Sequence, residues 1–504
     1  MAAERLAELE RIVPNAARSP EIEAIAGTNV LIDGDAALVE VLRSRLEALG
    51  PTTPRALVAP LGLPPAAAER ALLALEAEGF VLRGHFTRAD GPVEWCERRL
   101  LARIHRYTLK RLRGEIEPVT PAVYLRFLLA WHGLGDERPE GDEALSAALD
   151  RLEGFSAPAA AWESDLLPAR VGQYLPQMLD AQCASGRVIW QRLGAGSGNG
   201  ERRTGPVRGT PIALLAREDA AHWQAFAPPP DPAAITLSAP ARAIADTLGR
   251  DGASFFADIV QRSGLLRTQV ETGLAELVAW GLVTSDLFAG LRALTQPAHK
   301  RAAFGRASVR TRRGKAGVDA AGRWSLLTYP QGSDPLSPAS GRPLFEGVEH
   351  IAWSLLRRYG VVFRRILERE SGLPPWRDLL RVYWRMEARG ELRGGRFVQS
   401  FSGEQFALAE AVAALRQARR ETAGGTMIAV SGADPLNLVG IVTPGERVPA
   451  LRKNRVLFCD GVPVAVQTGG EVRFIGEIDE QASWDARQRL LRNRMITDPR
   501  PAQH

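Results

Sequence analysis

The sequence predicts an α+β chain, mainly helical, in which tandem winged-helix modules are followed by a small β-barrel-like module. A pattern of helix, tight turn, helix and strand recurs along the chain, and a glycine ends the second helix in its three regular copies: Gly79, Gly281 and Gly390. A helix–turn–helix followed by a hairpin is the winged-helix arrangement. The chain ends differently, because short alternating runs of β-branched residues dominate residues 425–504. With 504 residues, the chain has room for several domains of about 150 residues each.

Residues 1–115 are predicted to hold the first winged helix and a basic connecting helix. Thr53 is placed to cap one helix, and "GLPP" interrupts the chain before a second helix at residues 66–78. The run "FVLRGHF" then alternates as a hairpin strand does.

The connecting helix carries positive charge on one side only. It starts in "CERRLLARIHRYTLKRLRG", and at about 100° per residue one arc contains Leu100, Leu101, Ile104, Tyr107 and Leu112. A narrower neighbouring arc contains basic residues and no acid, which indicates a polyanionic partner such as DNA. A solvated helix face, or a strut paired with acids of a neighbouring module, is the alternative. We call this arc the cationic ridge, and it consists of Arg99, Arg103, Arg106 and Lys110.

The later modules follow the same plan with less regularity. We predict a second winged helix with a Gly-rich wing loop at 116–232 and a third winged helix at 233–300. A basic linker at 301–342 precedes a fourth winged helix at 343–424, and the β-barrel-like module with its C-terminal helix occupies 425–504.

Two loop segments are candidates for contact with a phosphate backbone. The Gly-rich segment 193–210 carries three arginines, and segment 299–317 carries seven Arg and Lys residues without an acid. Flexible basic loops can clamp phosphates, although solvated linkers share this composition. Trp324 borders the second segment and is a candidate for base stacking. The predicted DNA contacts of these segments are Arg202, Arg203, Arg208, Arg310, Arg312, Arg313, Lys315 and Trp324.

Several classes of chemistry have no motif in this sequence. It contains no GxxxxGK[ST] phosphate loop, no HExxH and no CxxC pair, so we expect no ATPase activity, no metal and no cofactor in this chain. The three cysteines lie far apart, as is usual in a reducing cytosol. No apolar run approaches the length of a membrane span. We therefore expect a cytoplasmic, nucleoid-associated protein without a membrane partner.

Long phrases of the sequence resemble the C-terminal region of bacterial large helicase-related (Lhr) proteins. They include "WCERRLLARIHRYTLKRLRGEIEPV", "LRRYGVVFRRILERE" and "DPLNLVGIVTPG", and the resemblance spans roughly residues 94–463. It implies a full-length ATP-dependent helicase, with ATP and Mg at an N-terminal motor, that acts in DNA repair. It also implies tandem winged helices and a β-barrel similar to AlkZ-type glycosylases, which unhook DNA crosslinks. The implied partners are DNA and the helicase core of the same polypeptide, and the apolar faces of the modules leave room for a homo-oligomer.

The resemblance also implies a candidate catalytic segment. AlkZ-type enzymes carry Gln-x-Gln or Gln-x-Asp there, whereas "LDRLEGFSAPAAAWESDLLPAR" contains no glutamine. Glu163 and Asp165 are the nearest carboxylates, and either could position water and stabilise an oxocarbenium-like sugar beside an extruded base. The alternative is that both are helix N-terminal acids that interact with the helix dipole.

The sequence is therefore consistent with three functions. The first is the DNA-binding C-terminal portion of an Lhr-type repair helicase that lacks the motor and supports repair of crosslinks or damaged bases. The second is a DNA glycosylase that flips modified, crosslinked or uracil bases. The third is a winged-helix transcription regulator, although the second helix of the first module, residues 66–78, is nearly all Ala, Leu and Glu and would repel phosphate.

Overall fold

A computed structural model of the chain describes residues 6–14, 33–114, 116–194, 207–227, 235–296, 322–327, 341–476 and 480–495. The chain divides into two compact units, Met1–Glu115 and Ile116–His504. Every helix in the described ranges is too short or too polar to cross a lipid bilayer.

The first unit has the helix order and hairpin of a winged helix. The Thr53 hydroxyl accepts a hydrogen bond from the Ala56 amide at 3.2 Å and caps α3, as the sequence predicts. Gly79 has φ +73°, so the chain turns after α4 in a conformation that favours glycine. The elements are α1 Leu6–Ile12, α2 Gly34–Leu46, α3 Pro54–Val58, α4 Pro65–Ala77, β1 Val81–Gly84, β2 Glu94–Glu97 and α5 Arg98–Gly114.

The connecting helix α5 begins two residues later than the sequence suggests. Cys96 is buried in β2, which pairs antiparallel with β1. The Glu97 carboxylate accepts hydrogen bonds from the Arg99 and Leu100 amides at 2.7 and 2.5 Å and thereby starts the helix. No residue of α5 is buried, and even Tyr107 on its apolar arc is 69% exposed.

The second unit opens with a module whose three short strands pair antiparallel in the order β3-β5-β4. Thr120 caps its first helix through the Val123 amide. A π-helical segment, Trp162–Leu166, joins two short helices near the centre of the module. The other elements are α6 Pro121–Trp131, α7 Gly141–Leu152, β3 Ala157–Pro158, α8 Ala159–Ala161, α9 Leu167–Arg170, α10 Pro176–Ala184, β4 Val188–Gln191, β5 Pro211–Ala216 and α11 Ala220–Gln224.

The next module has a sheet of order β6-β8-β7. Gly281, at φ +75°, ends α14 before β7. Strand β8 lies within the range predicted as a linker, so part of that range belongs to this sheet. The elements are α12 Ala239–Asp251, β6 Ser254–Phe255, α13 Phe256–Ser263, α14 Arg267–Trp280, β7 Val283–Ser285, α15 Phe288–Thr295 and β8 Arg323–Leu326.

The prediction that Trp324 contacts DNA is wrong. Trp324 lies on β8 and has no exposed surface. Its ring packs edge-on against Trp190 with the ring centroids 6.0 Å apart. Both rings belong to one hydrophobic core, because an indole between two paired strands gains more from burial than from solvent contact.

The fourth winged-helix module shares a core with the first module of this unit. The Tyr124 hydroxyl on α6 lies 2.8 Å from the Val361 carbonyl oxygen and donates a hydrogen bond to it. The sheet has the order β10-β11-β9. Gly390 lies two residues after the end of helix α17 and has φ +76°. The elements are α16 Gly341–Tyr359, β9 Val361–Phe363, α17 Trp376–Ala388, β10 Arg393–Gly395, β11 Gln405–Ala407 and α18 Ala409–Arg420.

The C-terminal module is an open antiparallel sheet in the described residues. Its strands follow one another in the order β12-β13-β14-β15, and the two outer strands do not pair with each other. The described strands therefore do not close into the barrel that the sequence suggested. The elements are β12 Met427–Ser431, β13 Arg455–Cys459, β14 Val462–Thr468, β15 Glu471–Phe474 and α19 Glu480–Met495.

Candidate active site and nucleic-acid interface

Both predicted carboxylates lie on the π-helical segment Trp162–Leu166. The Trp162 side chain is fully buried, and its Nε1 donates a hydrogen bond to the Ile212 carbonyl at 2.9 Å, which anchors the segment to β5. Single π-turns of this kind are rare and occur often at functional sites. The segment directs Glu163 and Asp165 to two different clefts.

The Asp165 carboxylate is buried and held by two donors. The Arg455 guanidinium at the start of β13 donates to Oδ1 at 2.9 Å, and the Ser164 hydroxyl donates to Oδ2 at 2.5 Å. Burial raises the pKa of Asp165, and the positive charge of Arg455 opposes this shift. These two donors occupy about half of the four acceptor positions of an ionised carboxylate.

Asp165 lines a cleft of about 470 Å³ between the first module of the second unit and the C-terminal sheet. This volume lies within the range of about 300–1,000 Å³ that is usual for small-ligand sites. Arg138 donates to the Pro168 carbonyl at the cleft wall, and Arg452 donates to the Ser164 hydroxyl at 3.2 Å. We call this the Asp165 cleft, and its charged lining residues are Asp136, Arg138, Asp165, Arg455 and Arg489.

Glu163 faces a second cleft and is engaged in an ion pair. The Arg292 guanidinium binds its carboxylate in a bidentate manner at 2.5 and 2.7 Å, and the Tyr174 hydroxyl donates to it at 3.0 Å. Burial raises the pKa of Glu163, and Arg292 opposes the shift. Arg292 also binds Asp180 at 2.9 Å. Glu163 therefore ties α15 to the π-helical segment.

A buried ion pair that the sequence did not reveal fixes the end of this segment. Arg170 binds Asp434 in a bidentate manner, with nitrogen–oxygen distances of 2.7 and 2.9 Å, and both side chains are almost completely buried. The Arg170 Nε also donates a hydrogen bond to His132 Nδ1 at 3.1 Å. Burial lowers the pKa of His132, so this imidazole is neutral. The pair joins α9 to the loop after β12. The one sequence feature that could have indicated this ion pair is the arginine that follows the apolar residues in "DLLPAR".

The cationic ridge lies on the solvent-exposed surface of the first unit. The side chains of Arg99, Arg103, Arg106 and Lys110 are exposed. Within the part of the chain that the structure describes, none of the four has an acidic partner. The ridge stays a predicted phosphate-binding surface.

Of the predicted loop cations, one lies within the described residues. Arg208 is exposed on a 3-10 turn, Val207–Gly209, and stays a predicted DNA contact. The remaining loop cations lie outside the described residues: Arg202, Arg203, Arg310, Arg312, Arg313 and Lys315.

One group among the described residues has the composition of a metal site: Glu153, Asp219 and His350. However, the Arg357 guanidinium and the Ser354 hydroxyl each donate to Glu153 at 3.1 Å. His350 lies 3.1 Å from the other carboxylate oxygen. The guanidinium at this position already supplies positive charge to the Glu153 carboxylate.

Comparisons with known proteins agree with the resemblance found in the sequence. Two family models, both described as a winged-helix domain of large helicase-related protein, match residues 119–216 and 345–427. An "Lhr helicase/ probable uracil glycosylase" of Mycolicibacterium smegmatis is 31% identical over 386 residues, which cover 73% of this chain and 24% of the relative. An "Lhr helicase/uracil glycosylase" of Escherichia coli is 31% identical over 395 residues, covering 71% and 24%. The chain thus spans about a quarter of the length of these relatives.

Among solved structures, the DNA glycosylase AlkZ of Streptomyces sahachiroi is similar with a TM-score of 0.41 and 12% sequence identity. The match covers 75% of this chain and 97% of that chain.

Proposed function

Because the chain is a relative of the C-terminal region of large helicase-related (Lhr) proteins, we propose that it binds DNA and excises uracil from it. Two observations support the proposal. The cationic ridge exposes four basic side chains on one helix, and the Asp165 carboxylate lines a cleft whose other charged groups are mostly arginines. The observation that carries the chemistry is this carboxylate, and both curated relatives are named for uracil glycosylase activity.

The proposed reaction is hydrolysis of the N-glycosidic bond of a flipped deoxyuridine. The bond between C1′ and N1 breaks, and its electron pair leaves with uracil as the anion, which solvent then protonates. The ionised Asp165 stabilises the positive charge that develops on the sugar. A water molecule forms the new bond to C1′ and gives its proton to the Asp165 carboxylate. Ser164 and Arg455 hold that carboxylate in place.

A DNA-binding role without chemistry is the second candidate function. The observation in its favour is that Asp165 is paired with Arg455, as a purely structural carboxylate would be. In this case the chain would hold DNA for a helicase core, supplied with ATP and Mg, in a longer polypeptide that repairs crosslinks or damaged bases. Formation of abasic sites in uracil-containing or crosslinked duplexes by the purified chain separates the two candidates.

Replacement of all four residues of the cationic ridge by alanine is expected to weaken DNA binding without unfolding the protein. Each lost phosphate contact lowers the slope of log K against log salt by about 0.9 on duplex DNA. Fluorescence anisotropy titrations at several salt concentrations measure this slope. A control variant with lysine at the three arginine positions keeps the charge and should keep the slope. An alanine variant that loses stability but retains its slope contradicts the assignment.

Excision is expected to decline in acid as Asp165 becomes protonated. Because burial raises its pKa, the rate should fall at a higher pH than the value of about 3.9 for a solvated aspartate. Arg455→Gln removes a group that lowers this pKa, so its acid limb should move to higher pH. Single-turnover rates across the pH range measure the limb, with the exposed Arg473→Gln as a control. An Arg455→Gln profile that stays in place or moves to lower pH rejects Asp165 as the ionising group.

A further inference from the structure

An exposed leucine lies beside the Asp165 cleft. Leu451 is 59% exposed in the loop that precedes β13, four residues before the strand begins. The next two residues, Arg452 and Lys453, are also exposed. A large apolar side chain in such a position gains nothing from folding, and it is flanked by groups that suit phosphates.

The turn that presents Leu451 is braced by hydrogen bonds. The Leu451 amide donates to the Pro449 carbonyl at 2.7 Å, and the Asn454 amide donates to the Leu451 carbonyl at 3.0 Å. The Asn454 side chain also donates to the Pro449 carbonyl at 3.1 Å. Gly432 packs so closely behind the turn that a Cβ atom there would lie 2.8 Å from the Leu451 carbonyl oxygen. The backbone therefore holds the leucine in one defined place.

The loop and the first residue of β13 each contact the candidate catalytic segment. Arg452 donates to the Ser164 hydroxyl at 3.2 Å, and Arg455 donates to Asp165 at 2.9 Å. The leucine is thus adjacent in sequence to one contact of the site and four residues from the other. Any DNA that brings a sugar to Asp165 must pass close to this loop.

We propose that Leu451 is a wedge that enters the base stack of duplex DNA and occupies the space left by the extruded base. An enzyme that acts on a base must take it out of the duplex, and apolar wedges inserted between base steps stabilise such unstacked DNA. Arg452 and Lys453 bind the phosphates on either side of the gap. This inference rests on the proposed excision reaction and identifies its preferred substrate as a base within a duplex.

Leu451→Ala is expected to lower the single-turnover excision rate on duplex uracil DNA by roughly tenfold or more, which corresponds to about 1.4 kcal/mol. On single-stranded uracil DNA, where no stack has to be opened, the rate should change by less than about twofold. Leu451→Met should restore most of the duplex activity. Leu266→Ala removes another exposed leucine, 69% exposed and in a different module, and should have no effect. Equal losses on duplex and single strand overturn the wedge.

A second measurement does not depend on excision. In an Asp165→Asn background, 2-aminopurine placed next to uracil should brighten on binding as the neighbouring base leaves the stack, and adding Leu451→Ala should remove that increase. An unchanged increase overturns the wedge. Absence of excision by the wild-type chain overturns the proposed function instead, and the fluorescence result then decides the wedge by itself.

Discussion

Asp165→Asn is expected to lower the rate of uracil excision by roughly 1,000-fold, at the upper end of the effect of removing one group that stabilises a transition state. The asparagine amide is neutral, so it neither stabilises the positive sugar nor accepts a proton from water. Its oxygen can still accept the hydrogen bond that Arg455 donates to Asp165. Affinity for the same DNA should therefore change little. Single-turnover excision and anisotropy titration measure the two quantities.

Glu163→Gln provides the matched comparison on the same π-helical segment. This change weakens the ion pair with Arg292, so we expect reduced thermal stability and a much smaller loss of excision than in Asp165→Asn. If Glu163→Gln abolishes excision while Asp165→Asn retains it, the roles of the two carboxylates are reversed.

Arg170→Leu is expected to lower the free energy of unfolding of the second unit by about 3–5 kcal/mol, because it leaves a buried carboxylate without its partner. Asp434 is 2% exposed and loses both hydrogen bonds from the guanidinium. Urea denaturation followed by tryptophan fluorescence measures the change.

The exposed pair Arg473–Glu446 supplies the control for this prediction. Its side chains are 66% and 83% exposed, so Arg473→Ala should change stability by less than about 1 kcal/mol. Similar losses in the two variants would show that the buried pair contributes no more than a surface ion pair.

Features set by neighbouring residues could be predicted from the sequence. Thr53 caps its helix through a residue three positions away, and the glycines that end the second helices all adopt positive φ. The Lhr resemblance was also correct, because it rests on long phrases rather than on single residues.

Features set by distant contacts could not be predicted in this way. Trp324 follows an arginine in the sequence, but its strand pairs with β7 and its ring packs against Trp190. The residues next to Trp324 in the sequence indicate neither the strand pairing nor the ring contact. Arg170 and Asp434 are 264 residues apart. Alternating hydrophobicity predicts strands, whereas barrel closure depends on strand number and stagger, and the described strands remain open.

The most direct test of the central claim is excision of uracil by the purified chain. A duplex with a single uracil is incubated with excess protein and then heated in alkali, which cleaves DNA at abasic sites. We predict cleavage at the uracil position, with an equal amount of released uracil and no cleavage of a duplex carrying thymine there. An intact uracil strand under conditions in which all of the DNA is bound would contradict it.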